Sequence, residues 1–168
     1  MDASRGVDPG YRTFVSYIDK SRDFYAAQGF TDPYRWAHFE DVPFSPLEKP
    51  ISDSIVTLIT TASLPSLGSP DQRPPGGVYS MPSAHPPESL FTDNRFWDKL
   101  ATHTDDLDSF FPIHRLQELC AQGACRLAPR AQGVPTEYSQ RLTTAEDAPE
   151  VLRRCLEDQV DAAILVPL

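Results

Sequence analysis

At 168 residues the chain is long enough to bury the core of one domain, with little left for a second. A formal net charge of −9 sets long-range repulsion against nucleic acid and anionic membranes, so the expected partner is a small molecule or another protein, with no nucleic acid and no membrane. No apolar run approaches the about eighteen residues of a membrane span, and Met1-Asp2-Ala3-Ser4-Arg5-Gly6 lacks the apolar core of a signal peptide, so a cytoplasmic location is expected.

Tyr11, Phe14, Val15, Ile18 and Tyr25 recur at the spacing of three and four that lays an apolar stripe along a helix, and Gly29 supplies a stop, which predicts a helix over 11–28. The proline-broken segment 32–50 carries Tyr34, Trp36, Phe39 and Phe44; it is expected to wrap the surface and bury its rings. Ser54-Ile55-Val56-Thr57-Leu58-Ile59-Thr60-Thr61 is a β-branched, nearly continuous apolar run, the pattern of a strand covered on both faces in a parallel sheet. Residues 65–87 read as a Pro/Ser/Gly-rich loop, with Val78-Tyr79-Ser80-Met81 as its one short strand candidate.

Phe111-Pro112 opens a second helix whose Ile113, Leu116, Leu119 and Cys120 share a face; Gly123 ends it before a short strand over 124–128. Thr143 has capping-box spacing to Glu146, and Val151, Leu152, Cys155 and Leu156 give the following helix an apolar face. Val160 to Leu168 reads as a buried final strand. The fold class is therefore α/β: a single domain over 1–168, with a mostly parallel sheet flanked by helices in the flavodoxin or Rossmann manner, and long proline-rich loops. Seventeen prolines, about twice the average share, agree with many rigid connections.

The chain has no G-x-G-x-x-G, no G-x-x-x-x-G-K, no H-E-x-x-H and no G-x-S-x-G, which leaves phosphate-loop, zinc and serine-hydrolase chemistry without a motif. Cys120, Cys125 and Cys155 are odd in number and without metal spacing, so no metal is expected and the three read as structural, in buried apolar packing. Asp93, Asn94, Arg95, Asp98, His103, Asp105, Asp106 and Asp108 form the densest polar cluster. It reads either as a site with His103 as base or ligand, or as a solvated acidic surface, the simpler of the two. His114, in a helix's first turn, reads as exposed, and His38 and His85 take no role. Ligands of an open parallel sheet bind beyond the carboxyl ends of its strands, where Thr60 and Thr61 would lie, either to hold a carboxylate through hydroxyls and backbone amides or simply to hydrogen-bond at the strand end. Arg130 and Tyr138 flank a loop over 128–135 expected at the same edge, where a guanidinium could anchor an anionic substrate or form a surface salt bridge.

The runs Pro33-Tyr34-Arg35-Trp36-Ala37, Lys49-Pro50, Thr60-Thr61-Ala62, Phe111-Pro112 with Arg115-Leu116, Ala128-Pro129-Arg130, Gly133-Val134-Pro135-Thr136, Tyr138-Ser139-Gln140-Arg141 and Val160-Asp161-Ala162 through Val166-Pro167 span nearly the whole chain. In order and spacing they resemble the selenoprotein B family of glycine, sarcosine, betaine and D-proline reductases, and its shorter relatives in particular. The resemblance implies thiol- or selenol-dependent reduction of a small amine or amino-acid-like substrate. The nucleophile would sit directly after the strand ending at Pro167, in a C-x-x-C or U-x-x-C setting, because a low-pKa thiolate or selenolate attacks and a second thiol resolves.

That position lies beyond Leu168. A UGA codon read as stop, a trimmed chain or a natural non-catalytic form would each account for this, the first being the working expectation, and this 168-residue form is expected to lack redox turnover. The implied cofactor is thus a selenocysteine or redox cysteine after Leu168; no cysteine-based cleavage site suggests a pyruvoyl group. The implied electron donor is a thiol or thioredoxin-like protein, if the chain runs to full length. Thr60, Thr61, Asp93, Arg95, Arg130 and Tyr138 are the residues set out for substrate. Asp93 stands where the family pattern has a histidine, and Ala131-Gln132 where an aromatic-histidine pair is common, which implies altered substrate handling or a decaying site. The apolar end Ile164-Leu165-Val166-Pro167-Leu168 is a pairing liability that makes a homodimer a candidate. The alternative function is a non-catalytic small-molecule-binding or protein-interaction module of the same fold.

Overall fold

The computed structural model describes residues 16–32, 35–65, 77–92, 103–134 and 139–168. The chain divides into two compact units. Of the described residues, those up to His38 belong to the first and those from Phe39 to the second.

In the first unit, helix α1 spans Tyr17–Ala27; residues 11–15 of the expected helix lie outside the described residues. Ser16 caps it by accepting from the Asp19 amide at 3.2 Å. At its end Gly29 turns left-handed (φ 91°), the Gly29 amide donates to Ala26 and the Phe30 amide to Tyr25. This double bond pattern satisfies the last carbonyls, and the Phe30 ring meets Tyr25 edge-on at 6.1 Å, the apolar contact such an ending favours.

The sheet belongs to the second unit: β1 (Ile55–Thr60), β2 (Tyr79–Pro82), β3 (Arg126–Leu127), β4 (Arg130–Gly133) and β5 (Ala162–Val166). β1 is central. Val56 pairs with both Leu127 and Ala162, and Thr60 with both Gly133 and Val166, so β3 and β4 run along one edge of β1 and β5 along the other, all parallel. β2 pairs antiparallel outside β4, which makes the sheet mixed but mostly parallel. The pairing of Ile55 with Arg126 and of Ile59 with Gln132 differs by two residues in offset. β3 and β4 are thus one strand interrupted at Ala128-Pro129, where the proline has no amide to give. The Thr57 hydroxyl repairs the gap by donating to the Arg130 carbonyl at 2.9 Å. The sequence reading placed a loop over 128–135; the ladder resumes there instead, because the proline breaks the pairing for two residues without ending it.

Alternation along the strands gives the sheet two faces. Val56 and Leu58 of β1, Ala131 of β4 and Met81 of β2 share one with Phe111, Ile113 and Leu116, and this is the apolar core. Ile113 and Leu116 come from α2 (Ile113–Ala121), whose N-cap residue, Pro112, offers no side-chain hydrogen bond. Asp108 substitutes for one: its Oδ1 accepts from the amides of His114 (3.0 Å) and Arg115 (3.4 Å) while its Oδ2 meets the His114 ring at 2.8 Å. Gly123, with φ 82°, ends this helix as expected.

On the opposite face lies a helix that opens four residues earlier than Thr143. Ser139 caps α3 (Gln140–Leu142) through the Leu142 amide; a π turn over Thr143–Asp147 follows, then α4 (Ala148–Glu157). Pro149 explains the wide turn, since its ring would crowd the carbonyl four residues back in a regular helix.

Two further expectations are corrected. Trp36, Phe39 and Phe44 are exposed rather than buried, because Pro43 and Pro46 keep 35–47 irregular and unable to lay a face on a core; Tyr34 lies outside the described residues. The final strand forms, but as an exposed edge: Leu165 is 73% exposed, with Leu152 and Leu156 of α4 also outward. Within the 65–87 loop the short strand is present as β2, while 66–76 lie outside the described residues.

Candidate functional site at the carboxyl edge of the sheet

The carboxyl ends of β1, β4 and β5 meet the start of antiparallel β2, and the chain builds this edge from small residues and hydroxyls. Thr60 is buried; its hydroxyl accepts from the Ala62 amide at 3.1 Å and its carbonyl from the Val134 amide at 2.8 Å. Thr61 holds Leu168, accepting from its amide at 2.8 Å and donating to its carbonyl at 3.1 Å. The Tyr79 phenol donates to the Ala62 carbonyl, and burial pushes its pKa above the usual tyrosine range, so it remains a proton donor. Gly133 is required here. A Cβ at that position would enter the Tyr79 ring, so the phenol reaches Ala62 only across a residue without one.

Arg130 lies elsewhere. It opens β4, three residues before Gly133 and so about 10 Å from the edge. Its guanidinium is held at 2.6 Å by Asp158 and at 2.9 Å by Glu157; the hydrogen bonds it donates to Asp158 and then to Glu157 raise its pKa further. An open groove of about 600 Å³ beside it is lined by Ser80, Pro82, Pro129, Glu157 and Asp158. Of the six residues set out for substrate, the structure brings Thr60 and Thr61 together and commits Arg130 to an ion pair. Asp93, Arg95 and Tyr138 lie outside the described residues. His103 is exposed at the described end of the acidic cluster, 3.6 Å from Asp105.

Gln132 is fully buried on the α4 face, its Nε2 3.4 Å from the Cys155 sulfur and its Oε1 without a hydrogen-bond partner. Burial pushes the Cys155 thiol up, against a smaller lowering by Gln132, so this cysteine stays protonated and unreactive near neutral pH. Cys120 and Cys125 are not free packing residues: they form a disulfide. The signal was in the sequence, as two cysteines bracketing a helix-ending glycine.

Sequence reasoning also missed the amino edge. There the Asp161 Oδ2 accepts from the Ile55 amide at 2.7 Å and from Lys49 at 2.8 Å, while the Asp161 amide donates to the Ile55 carbonyl at 2.9 Å. β5 is thereby fastened to β1 at its start by Asp161 and beyond its end by Thr61.

The chain is an α/β protein with a mixed, mostly parallel sheet, a candidate site at its carboxyl edge, and no described helix long and apolar enough to cross a membrane. No protein-family model, no curated protein and no solved structure matches it.

Proposed function

We propose that this chain carries the framework of a selenoprotein B-like reductase, of flavodoxin or Rossmann kind, acting in the cytoplasm on a small amine or amino-acid-like substrate. The observation that supports the reading is the seat of Leu168. Its amide and carbonyl are both bonded to Thr61, directly beyond the central strand. A cysteine or selenocysteine following Leu168 would arrive where the strand ends converge, the usual place for chemistry on a parallel sheet. As thiolate or selenolate it would displace the amine from the substrate carbon; a thiol three residues further on would then take the sulfur or selenium into a disulfide or selenosulfide while the carbon leaves with a proton, and a thiol or thioredoxin-like donor would reduce that bond.

The test is the nucleotide sequence beyond the Leu168 codon, read together with the intact mass of the native protein. The expected result is UGA followed in frame by a C-x-x-C-like remnant, and a native mass above 18.7 kDa. A UAA or UAG codon with noncoding sequence beyond it, and a native mass of 18.7 kDa, would overturn the redox mechanism.

The exposed Leu152, Leu156, Ile164 and Leu165 favour a second reading, a non-catalytic binding or interaction module. Under that reading the native mass is that of the 168 residues, and a thermal-shift screen with glycine, betaine, sarcosine and proline registers a ligand only if the pocket has survived.

A further inference from the structure

We propose that Cys120 and Cys125 are a reversible dithiol–disulfide pair, opened and closed by exchange with a thiol that reaches Cys120 from solvent. The pair is separate from the carboxyl edge. Arg126, next in the chain, pairs with Ile55 at the start of β1, whereas Thr61 and Leu168 lie beyond its end.

Backbone geometry brings the two sulfurs together before any bond joins them. α2 ends with the Gly123 amide on the Cys120 carbonyl and the Ala124 amide on the Leu119 carbonyl, both at 3.0 Å, around Gly123 at φ 82°. That turn sets the Cα atoms of Cys120 and Cys125 4.5 Å apart, a separation a disulfide spans. In the reduced state the same two hydrogen bonds keep the thiols adjacent, so oxidation and reduction proceed without refolding. A cross-link that served as a staple would join distant segments; this one closes five steps of chain, where the restriction of the unfolded state is least.

Access is unequal, and that fixes the order of events. Cys125 is 7% exposed and belongs to the core, while Cys120 is partly exposed at its margin. An external thiolate attacks the Cys120 sulfur, the Cys120–Cys125 bond breaks, and Cys125 leaves as a thiolate that takes a proton. A second external thiolate then attacks the external sulfur of the mixed disulfide and releases Cys120. Two external thiols are oxidised to one disulfide as the protein disulfide is reduced to two thiols; the reverse sequence closes the pair. Cys155, on the opposite face of the sheet, takes no part.

The experiment places the full chain with Cys155→Ser in glutathione buffers of graded thiol-to-disulfide ratio, quenches with acid, alkylates, and maps Cys120 and Cys125. The expected result is that both become alkylatable together within the series, while circular dichroism and a cooperative melt persist. Loss of the bond lowers the folded-to-unfolded ratio by at most about fortyfold. A disulfide that survives excess reduced glutathione until the protein unfolds would make the pair a staple and overturn the proposal. So would two thiols that excess glutathione disulfide leaves free. For the order of events, Cys125→Ala is expected to form its mixed disulfide at Cys120 about tenfold faster than Cys120→Ala does at Cys125, and the opposite ranking would overturn it.

Discussion

Gln159 follows α4 at φ 54°, the described non-glycine residue that occupies the left-handed region. Its amide bonds Leu156 and the next amide, Val160, bonds Cys155, the same ending that Gly29 and Gly123 give α1 and α2. An L side chain in this conformation costs about 1 kcal/mol or more, so Gln159→Gly is expected to stabilise by roughly 0.5 kcal/mol once the freer unfolded chain is counted, read as a rise in Tm of about 1–2 °C. Gly123→Ala is the converse. Nothing lies within 4 Å of an added Cβ, so its expected loss of roughly 0.5 kcal/mol in chemical denaturation is backbone strain less the lowered entropy of the unfolded chain, with no collision added. Gly133→Ala is different in kind, because the new methyl meets the buried Tyr79 ring. The expected cost is about 1–3 kcal/mol, and it should shrink in a Tyr79→Ala background, where the collision is gone. The glycine before Val134 was visible in the sequence; the ring that depends on it was not, because Tyr79 and Gly133 meet only through the β2–β4 register.

Among the elements, β5 is held by pairing and end contacts more than by burial, and the contact at its start responds to pH. Hydrogen bonding from Lys49, and then from the Ile55 amide, keeps the Asp161 carboxyl below its usual range. A carboxylate depressed in the folded state stabilises above the unfolded value of about 3.9, and that contribution is lost as pH falls through the folded value. The difference in Tm between the native chain and Asp161→Asn is therefore expected to be full at neutral pH and to close in acid below about pH 4. Asp108 acts at the start of α2. Burial would raise its pKa, but hydrogen bonds from the His114 ring and from the Arg115 and His114 amides outweigh that and lower it. Asp108→Ala is expected to cost about 1 kcal/mol in denaturant unfolding, as loss of a helix cap does. The described part of α1, together with β1, β2, α2 and β5, was legible because period and stop residues agree locally. The resumed strand β4, the cap by Asp108 and the π turn were not, since each depends on a partner or a wide turn that no local pattern encodes.

At the scale of the whole molecule the sheet is covered unequally. Apolar residues of α2 close one face, while on the other Leu152, Leu156 and Leu165 remain exposed near an edge strand free of proline and charge over Ala162–Val166. Sedimentation velocity is therefore expected to reveal self-association as the concentration of the native chain rises, and Leu165→Lys to weaken it. Alternation and apolar content made the α/β class readable from sequence, but strand order came only with the register. The candidate site was legible at Thr60 and Thr61, which the end of an apolar run locates. At Arg130 the salt bridge was one of two readings, but its partner was not legible, because the attachment to Asp158 joins residues 28 apart. The two fastenings of β5 also bear on how the chain comes to be folded. Ile55 and Asp161 are 106 residues apart, so a ribosome takes about 5–20 s to pass from one to the other. For that interval the central strand has one edge without its partner, and the sheet closes only once Asp161 and Leu168 have both been made and can engage Ile55 and Thr61.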